Sequence, residues 1–191
     1  GVLLDRVGQI GKAMAINQEK RILAGVTDTG TATYKRNGNA AVATYSTSST
    51  STHPFINQAS NALQDYTDIE NVFLLFDAIT DPITNEPIMV GAMDLLVPSA
   101  LGMTADRIRN ATQVSYGRYT DASHVDAAQS GALREIATIG SNPLSSTTLK
   151  GRAQVGNVYS SAHVKNATSS ASTWFAGNFK QAFKYLSVWD V

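Results

Sequence analysis

Residues 86–112 read Glu-Pro-Ile-Met-Val-Gly-Ala-Met-Asp-Leu-Leu-Val-Pro-Ser-Ala-Leu-Gly-Met-Thr-Ala-Asp-Arg-Ile-Arg-Asn-Ala-Thr. Ile88-Met89-Val90 and Leu95-Leu96-Val97 are short apolar runs around a turn at Gly91, which predicts two strands, the second covered on both faces. Pro98-Ser99 then opens a helix, because proline suits the start of a helix and Leu101, Ala105 and Ile108 fall on one face behind it. A strand over 113–116 follows.

Working toward the N-terminus, 59–80 keeps helical spacing through Leu63, Tyr66, Ile69, Val72, Phe73, Phe76 and Ile79. It predicts a buried helix of about five turns that stops at Asp81-Pro82, with a turn-rich connection up to Pro87. The Asn37-Gly38 pair lies in a run rich in Thr, Val, Tyr and Ala over 31–44 and predicts a hairpin, since both central residues of a type I′ turn need positive φ. Residues 46–52 read as a solvated loop. Leu3, Val7, Ile10 and Met14 recur at spacings of four, three and four and predict a core-facing helix, continued by Ile22 and Leu23 and stopped by Gly25 and the 27–30 cluster. That helix begins at Gly1-Val2-Leu3 without capping residues, which reads as a start inside an element and predicts that a preceding segment is lost by processing or disorder.

Toward the C-terminus, 117–131 is small, polar and aperiodic, the pattern of a long functional loop. Weak strand signal returns over 135–139, and 154–164 reads as a strand pair around Val155, Val158, Tyr159 and Val164. Thr173-Trp174-Phe175 reads as a buried strand, Gly177-Asn178 as a cap, 179–185 as a short helix and 186–191 as a closing strand. Leu95, Leu96, Val97, Trp174 and Phe175 are the expected core.

Composition narrows the function. The 191 residues carry fifteen basic and fifteen acidic side chains, 16% charged in all, against about 25% in an average soluble domain. A neutral, weakly charged chain is poorly suited to steering toward nucleic acid or anionic membrane, and it repels its own copies weakly. If the chain folds as one compact unit it would expose roughly 8,800 Å² and bury roughly 70% of its unfolded surface. The absence of cysteine excludes disulfides, thiolate catalysis and cysteine-bearing zinc sites. No apolar run reaches the length needed to span a bilayer.

The catalytic search is nearly empty. There is no phosphate loop, nucleophile elbow, paired-His helix motif or calcium loop. His53, His124 and His163 are far apart and read as isolated surface residues. Asp65, Asp68, Glu70, Asp77, Asp81 and Glu86 are the densest acidic stretch and could hold a hard cation, but on a helix they spread around more than one face and read as solvated surface. Basic residues form no stripe with interleaved aromatics, which argues against specific nucleic-acid readout.

Two segments resemble a known family. Residues 86–112 resemble the strand, proline and helix run of tailed-bacteriophage major capsid proteins, where Leu-Leu-Val-Pro-x-Ala-Leu leads into a helix with Thr-Ala-x-x-Ile. Trp174-Phe175-Ala176-Gly177-Asn178-Phe179-Lys180-Gln181-Ala182-Phe183-Lys184-Tyr185, followed by Trp189, resembles the family's C-terminal phrase. The upstream residues 65–70 and 80–82 fit the long helix that precedes the strand in such chains.

The resemblance implies an α+β Hong Kong 97-type capsid fold with a spine helix, a peripheral domain and a compact axial domain. Residues 1–58 would form the spine helix and peripheral hairpin, 59–172 the axial domain and 173–191 the return strand to the peripheral domain. The family's N-terminal arm and extended loop are expected ahead of the spine helix, either removed by processing or disorder or lying outside a fragment. The implied function is structural: copies associate into pentamers and hexamers of an icosahedral shell around a phage genome, enclosing DNA without sequence-specific readout. Such a chain is no enzyme, takes no cofactor or metal, has no membrane partner and belongs to the virion, assembled in the host cytoplasm. Axial-domain loops of the family crowd the five- and sixfold axes, which makes Arg118, Tyr119, Asp121, His124 and Asp126 the expected subunit interface. The alternatives are an encapsulin-like nanocompartment shell protein and, further off, a hydrolase or small-ligand binding protein whose polar groups converge only in three dimensions.

Overall fold

A computed structural model describes the backbone of residues 2–30, 32–34, 41–50, 56–81, 83–88, 92–116, 138–141 and 155–183. Its helices are α1 (Val2–Thr27), α2 (Tyr66–Asp77), α3 (Ser99–Asn110), α4 (Ala162–Thr168) and α5 (Phe179–Ala182). Its strands are β1 (Ala32–Tyr34), β2 (Val42–Ala43), β3 (Met93–Val97), β4 (Gln113–Tyr116), β5 (Thr138–Ser141), β6 (Val155–Ser160) and β7 (Phe175–Gly177). The α+β class follows directly from this mixture.

The centre of the molecule is a three-stranded sheet in the order β6-β3-β7. β3 is its middle strand, parallel to β6 and antiparallel to β7, and Met93, Leu95, Leu96 and Val97 are all buried. An alternating pattern would leave one face wet, whereas the unbroken Leu95–Val97 run is covered on both sides, as the sequence predicts. One core cluster packs Leu63, Ile69, Phe73, Ala105 and Ile108 on Met93, Leu95 and Val97. On the opposite face a second cluster joins Leu96 and Phe175 to Val26 and Val164. Trp174 differs from the expectation: it is partly buried and lies just before β7, donating its indole N–H to the Asn61 carbonyl at 2.8 Å.

Between β3 and β6 the register slips, so that Met93 faces Val155 but Leu95 faces Val158. The extra residue on β6 leaves a backbone N–H without a ladder partner. The Asp94 carboxylate accepts that N–H from Asn157 at 2.8 Å. Gly156 makes the approach possible, since a Cβ there would lie 2.6 Å from Asp94 Oδ1. Gly102 plays a similar part where α3 crosses β6, its absent Cβ falling 2.8 Å from Ser160 Oγ.

α2 is shorter than the spacing over 59–80 predicts. It begins at Tyr66 because Asp65 caps it: the Asp65 carboxylate accepts from Thr67 N–H, and Asp68 reaches back to the N–H groups of Gln64 and Asp65 at 2.6 and 3.0 Å. This capping box satisfies the orphan donors of the first turn and fixes the start against the pull of the periodic apolar residues upstream. Residues 154–164 also differ from the predicted strand pair. Only β6 is extended, and Ser161 then caps α4 by accepting from His163 N–H, which puts Val164 in a helix and fully buried.

The predicted hairpin at Asn37-Gly38 turns outside the described residues, but β1 and β2 on either side of it pair antiparallel. The predicted strand at 88–90 lies partly outside them, and Ile88 itself is not in a strand. The weak strand signal at 135–139 belongs to β5, which runs over Thr138–Ser141 and pairs with β4. The closing strand at 186–191 lies outside the described residues.

The largest correction concerns α1. Its 26 residues make a helix about 39 Å long, yet every residue from 5 to 22 is exposed, and Val7, Ile10 and Met14 are each about 60% open to solvent. The stripe that predicts a core-facing helix therefore faces no core within its own chain. Only the C-terminal end is held. Leu23 and Val26 join the second core cluster, Glu19 accepts from Ser161 Oγ at 2.9 Å, and Tyr45 Oη donates to the Val26 carbonyl at 2.6 Å. That last bond satisfies one of the four carbonyls a helix leaves without partners at its end. The chain exposes 13,781 Å² in all, well above the roughly 8,800 Å² of a compact unit of its mass, and α1 accounts for part of the excess.

Candidate functional site

The expected interface residues Arg118, Tyr119, Asp121, His124 and Asp126 lie outside the described residues, as does the whole segment 117–137. What the fold does establish is its base. β4 and β5 pair antiparallel with Tyr116 opposite Thr138, so the two ends of the segment leave the strand pair side by side.

Among the described residues the polar groups do not converge on a chemical site. No group of three or more His, Asp or Glu side chains stands close enough together to hold a metal ion. His53 and His124 fall outside the described residues, and His163 sits on α4 with its Nδ1 buried and unbonded. Three of the six carboxylates of the acidic stretch hold backbone. Asp65 and Asp68 cap α2, and the Asp81 carboxylate accepts from the N–H groups of Ile83 and Thr84 at 2.7 and 3.0 Å. The reading of these carboxylates as simple solvated surface misses their local role. The signal was present in the sequence as Asp65-x-x-Asp68 just ahead of an apolar run, and as Asp81-Pro82 at a turn.

A cavity of about 600 Å³ opens between α2 and the segments 56–62 and 172–176. Val72, Leu75, Phe76 and Ile79 form its α2 wall, and Trp174 and Phe175 face them. Tyr45 lines it as well, stacked at a tilt on Phe175 with centroids 5.5 Å apart, and burial pushes its phenol up from 10.0 to about 12. Among the described residues of the lining Tyr45 is the titratable one, beside the hydroxyl groups of Thr29, Ser60, Ser172 and Thr173. No described helix is long and apolar enough to cross a membrane.

The open features of the molecule are instead surfaces: the exposed length of α1, the outer side of α2, and a tight hairpin after it. In that hairpin Asp81 N–H donates to the Glu86 carbonyl at 2.8 Å and Ile88 N–H to the Ile79 carbonyl at 3.0 Å, with Asn85 in the left-handed region. Ile83 stands at its tip, 88% exposed. Turn tips favour small and polar residues, so an isoleucine there is an uncompensated apolar exposure.

Among the described residues, then, a small covered sheet stands beside exposed apolar side chains on α1, α2 and the hairpin. In the comparison with family models, the model of phage capsid proteins matches residues 1–190, and the chain belongs to that family. It is a structural family without enzymatic activity, which sets aside the hydrolase alternative, and its members are components of the bacteriophage virion. No match was found among curated proteins or among solved structures.

Proposed function

We propose that this chain is the major head subunit of its virion and assembles into pentamers and hexamers that close an icosahedral shell around a DNA genome. The fold would be of the Hong Kong 97 type, with α1 as the spine helix, residues 1–58 and 173–191 contributing the peripheral domain, and 59–172 forming the axial domain. Assembly would take place in the host cytoplasm, and the DNA would be held by enclosure, without base readout.

The observation that carries this reading, beside family membership, is the exposed length of α1. A helix with three glycines, Gly8, Gly11 and Gly25, and a stripe of Val7, Ile10 and Met14 left in water gains little from its own chain. Such an element is expected to be covered in an assembly. In the same reading Arg118, Tyr119, Asp121, His124 and Asp126 lie in the head-to-tail contact around the five- and sixfold axes. Their segment begins and ends on the paired strands β4 and β5.

Negative-stain electron microscopy of purified protein tests this directly. Uniform closed shells with DNA after infection are the expected result, and monodisperse monomers at high concentration would overturn it. Replacing 118–130 by a short Gly/Ser linker should leave a folded subunit and abolish or enlarge the shell. Normal shells from that variant would remove the loop from the contact.

A further inference from the structure

The neutral total charge conceals a segregation. Residues 37–106 contain eight Asp and Glu and no Lys or Arg, a formal charge of −8, so the rest of the chain carries +8. The acidic segment includes α2 and the hairpin over 79–88, and the basic remainder includes α1.

Within α1 the charges are sorted again. The apolar stripe Val7, Ile10 and Met14 continues at heptad spacing to Arg21, with Arg6 four residues before Ile10. Both acids of the helix, Asp5 and Glu19, stand two residues before Val7 and Arg21, and residues two apart on a helix point to nearly opposite sides. Glu19 accordingly faces α4, where it accepts from Ser161 Oγ. The side of α1 with Val7, Ile10 and Met14 is therefore apolar and basic, with Arg6 and Arg21 and no acid, while Asp5 and Glu19 lie at heptad spacing with Lys12 on the opposite side.

The outer side of α2 and the hairpin are the converse. Leu74 is 57% exposed and has Asp77 three residues on, Ile83 is 88% exposed, and Ile88 and Glu86 are exposed beside it on the returning arm. Four of these residues sit on an element capped at its start and a turn fixed by the Asp81 carboxylate, so the surface is held in shape before any partner arrives.

We propose that the apolar and basic side of α1 in one copy docks on the outer side of α2 and the 79–88 hairpin of the next copy, Val7, Ile10 and Met14 against Leu74, Ile83 and Ile88, with Arg6 and Arg21 facing Asp77 and Glu86. The contact is heterologous: each copy offers α1 to one neighbour and its acidic surface to the other, which generates a ring or a continuing lattice rather than a closed dimer. It deepens the shell reading given above and rests on it for the identity of the partner. Complementary charge supplies register and discourages α1 from pairing with another α1, where arginines would meet arginines.

Because the chain has no cysteine, single thiols report the contact without background. Ile10→Cys and Ile83→Cys variants, coexpressed with different tags and treated with a short bismaleimide, are expected to give a cross-linked heterodimer in the mixture and none when either is alone. Leu74→Cys in place of Ile83→Cys should behave in the same way, and the exposed Ser48→Cys should not link. Arg6→Glu with Arg21→Glu should lower the cross-linked fraction at least tenfold, and Asp77→Arg with Glu86→Arg should restore it. Dimers from Ile10→Cys alone would mean that α1 meets α1 and would overturn the proposal. Closed shells without the mixed cross-link would overturn the contact and leave the shell reading standing. The cross-link in material that forms no shell would sustain the contact and overturn the shell. Loss of both would overturn both.

Discussion

β3 and the exposed length of α1 both carry an apolar pattern, and they are treated in opposite ways. Met93, Leu95 and Val97 are sealed completely, gripped by a strand on each edge and by helices and side chains on both faces. Val7, Ile10 and Met14 have about three-fifths of their surface in water, although their spacing is as regular as that of any core helix. The difference is one of neighbours rather than of residues. Apolar periodicity states that a face is to be covered, and it is silent on whether the cover comes from the same chain. Under the shell reading proposed above, the second source would be a neighbouring copy seated on α1.

The comparison breaks if truncation in the two regions has the same effect on the subunit. Leu95→Ala should cost about 2–5 kcal/mol, the range for emptying a fully covered leucine site, read as a fall in the urea midpoint of unassembled protein. An unshifted midpoint would show that β3 is not the centre of the fold. The next effect tests how closely β6 fits β3. Gly156→Ala should destabilise by about 1–3 kcal/mol, because the new methyl group overlaps the Asp94 carboxylate, and Asp94→Ala in the same chain should recover part of that loss. Equal losses in the single and double variants would place the strain elsewhere.

Tyr45 joins the two regions, since its hydroxyl ties the end of α1 to the second cluster. Tyr45→Phe should cost roughly 1 kcal/mol near neutral pH through the lost bond to the Val26 carbonyl. The phenol titrates near 10.0 in the unfolded chain and near 12 in the folded one, so the folded state holds the proton longer. Its contribution is fully present below pH 10.0 and is lost as pH rises toward 12, and the phenylalanine variant should lack that loss. A parallel decline of both proteins over that interval would assign the alkaline transition to other groups.

The smallest effect on the subunit is expected from α1 itself. Ile10→Ala should change the urea midpoint of unassembled protein by no more than about 0.5 kcal/mol, alanine being the better helix former at an open position. Its consequence should fall on assembly, measured as a higher concentration threshold for sedimenting particles. A large loss of subunit stability would show that the stripe is covered within its own chain.

The sequence by itself determined the covered strand at Leu95–Val97, the helix opened by Pro98 and, through the resemblance, the family with its mixed α+β class, because each rests on short-range pattern: an unbroken apolar run, a proline at a helix start, a phrase of residues in order. It also carried Ala105 and Ile108 correctly to the buried side of α3. Two local errors had local causes. The helix over 59–80 was overextended because apolar spacing continues upstream of Asp65, while the capping box that stops it depends on two carboxylates closing on particular N–H groups. Val164 was read as strand because β-branched residues favour strands, but Ser161 capping and burial against α1 and Leu96 made its segment a helix.

Only the tertiary structure decided which apolar faces are satisfied. Leu23 and Val26 are covered and Val7, Ile10 and Met14 are not, within one helix of uniform appearance, because α4, Tyr45 and Phe175 reach only its C-terminal end. Long-range neighbours fix that outcome, and they come from segments more than a hundred residues away as well as from the adjacent hairpin. A pattern with a period of a few residues carries no information about contacts at that separation.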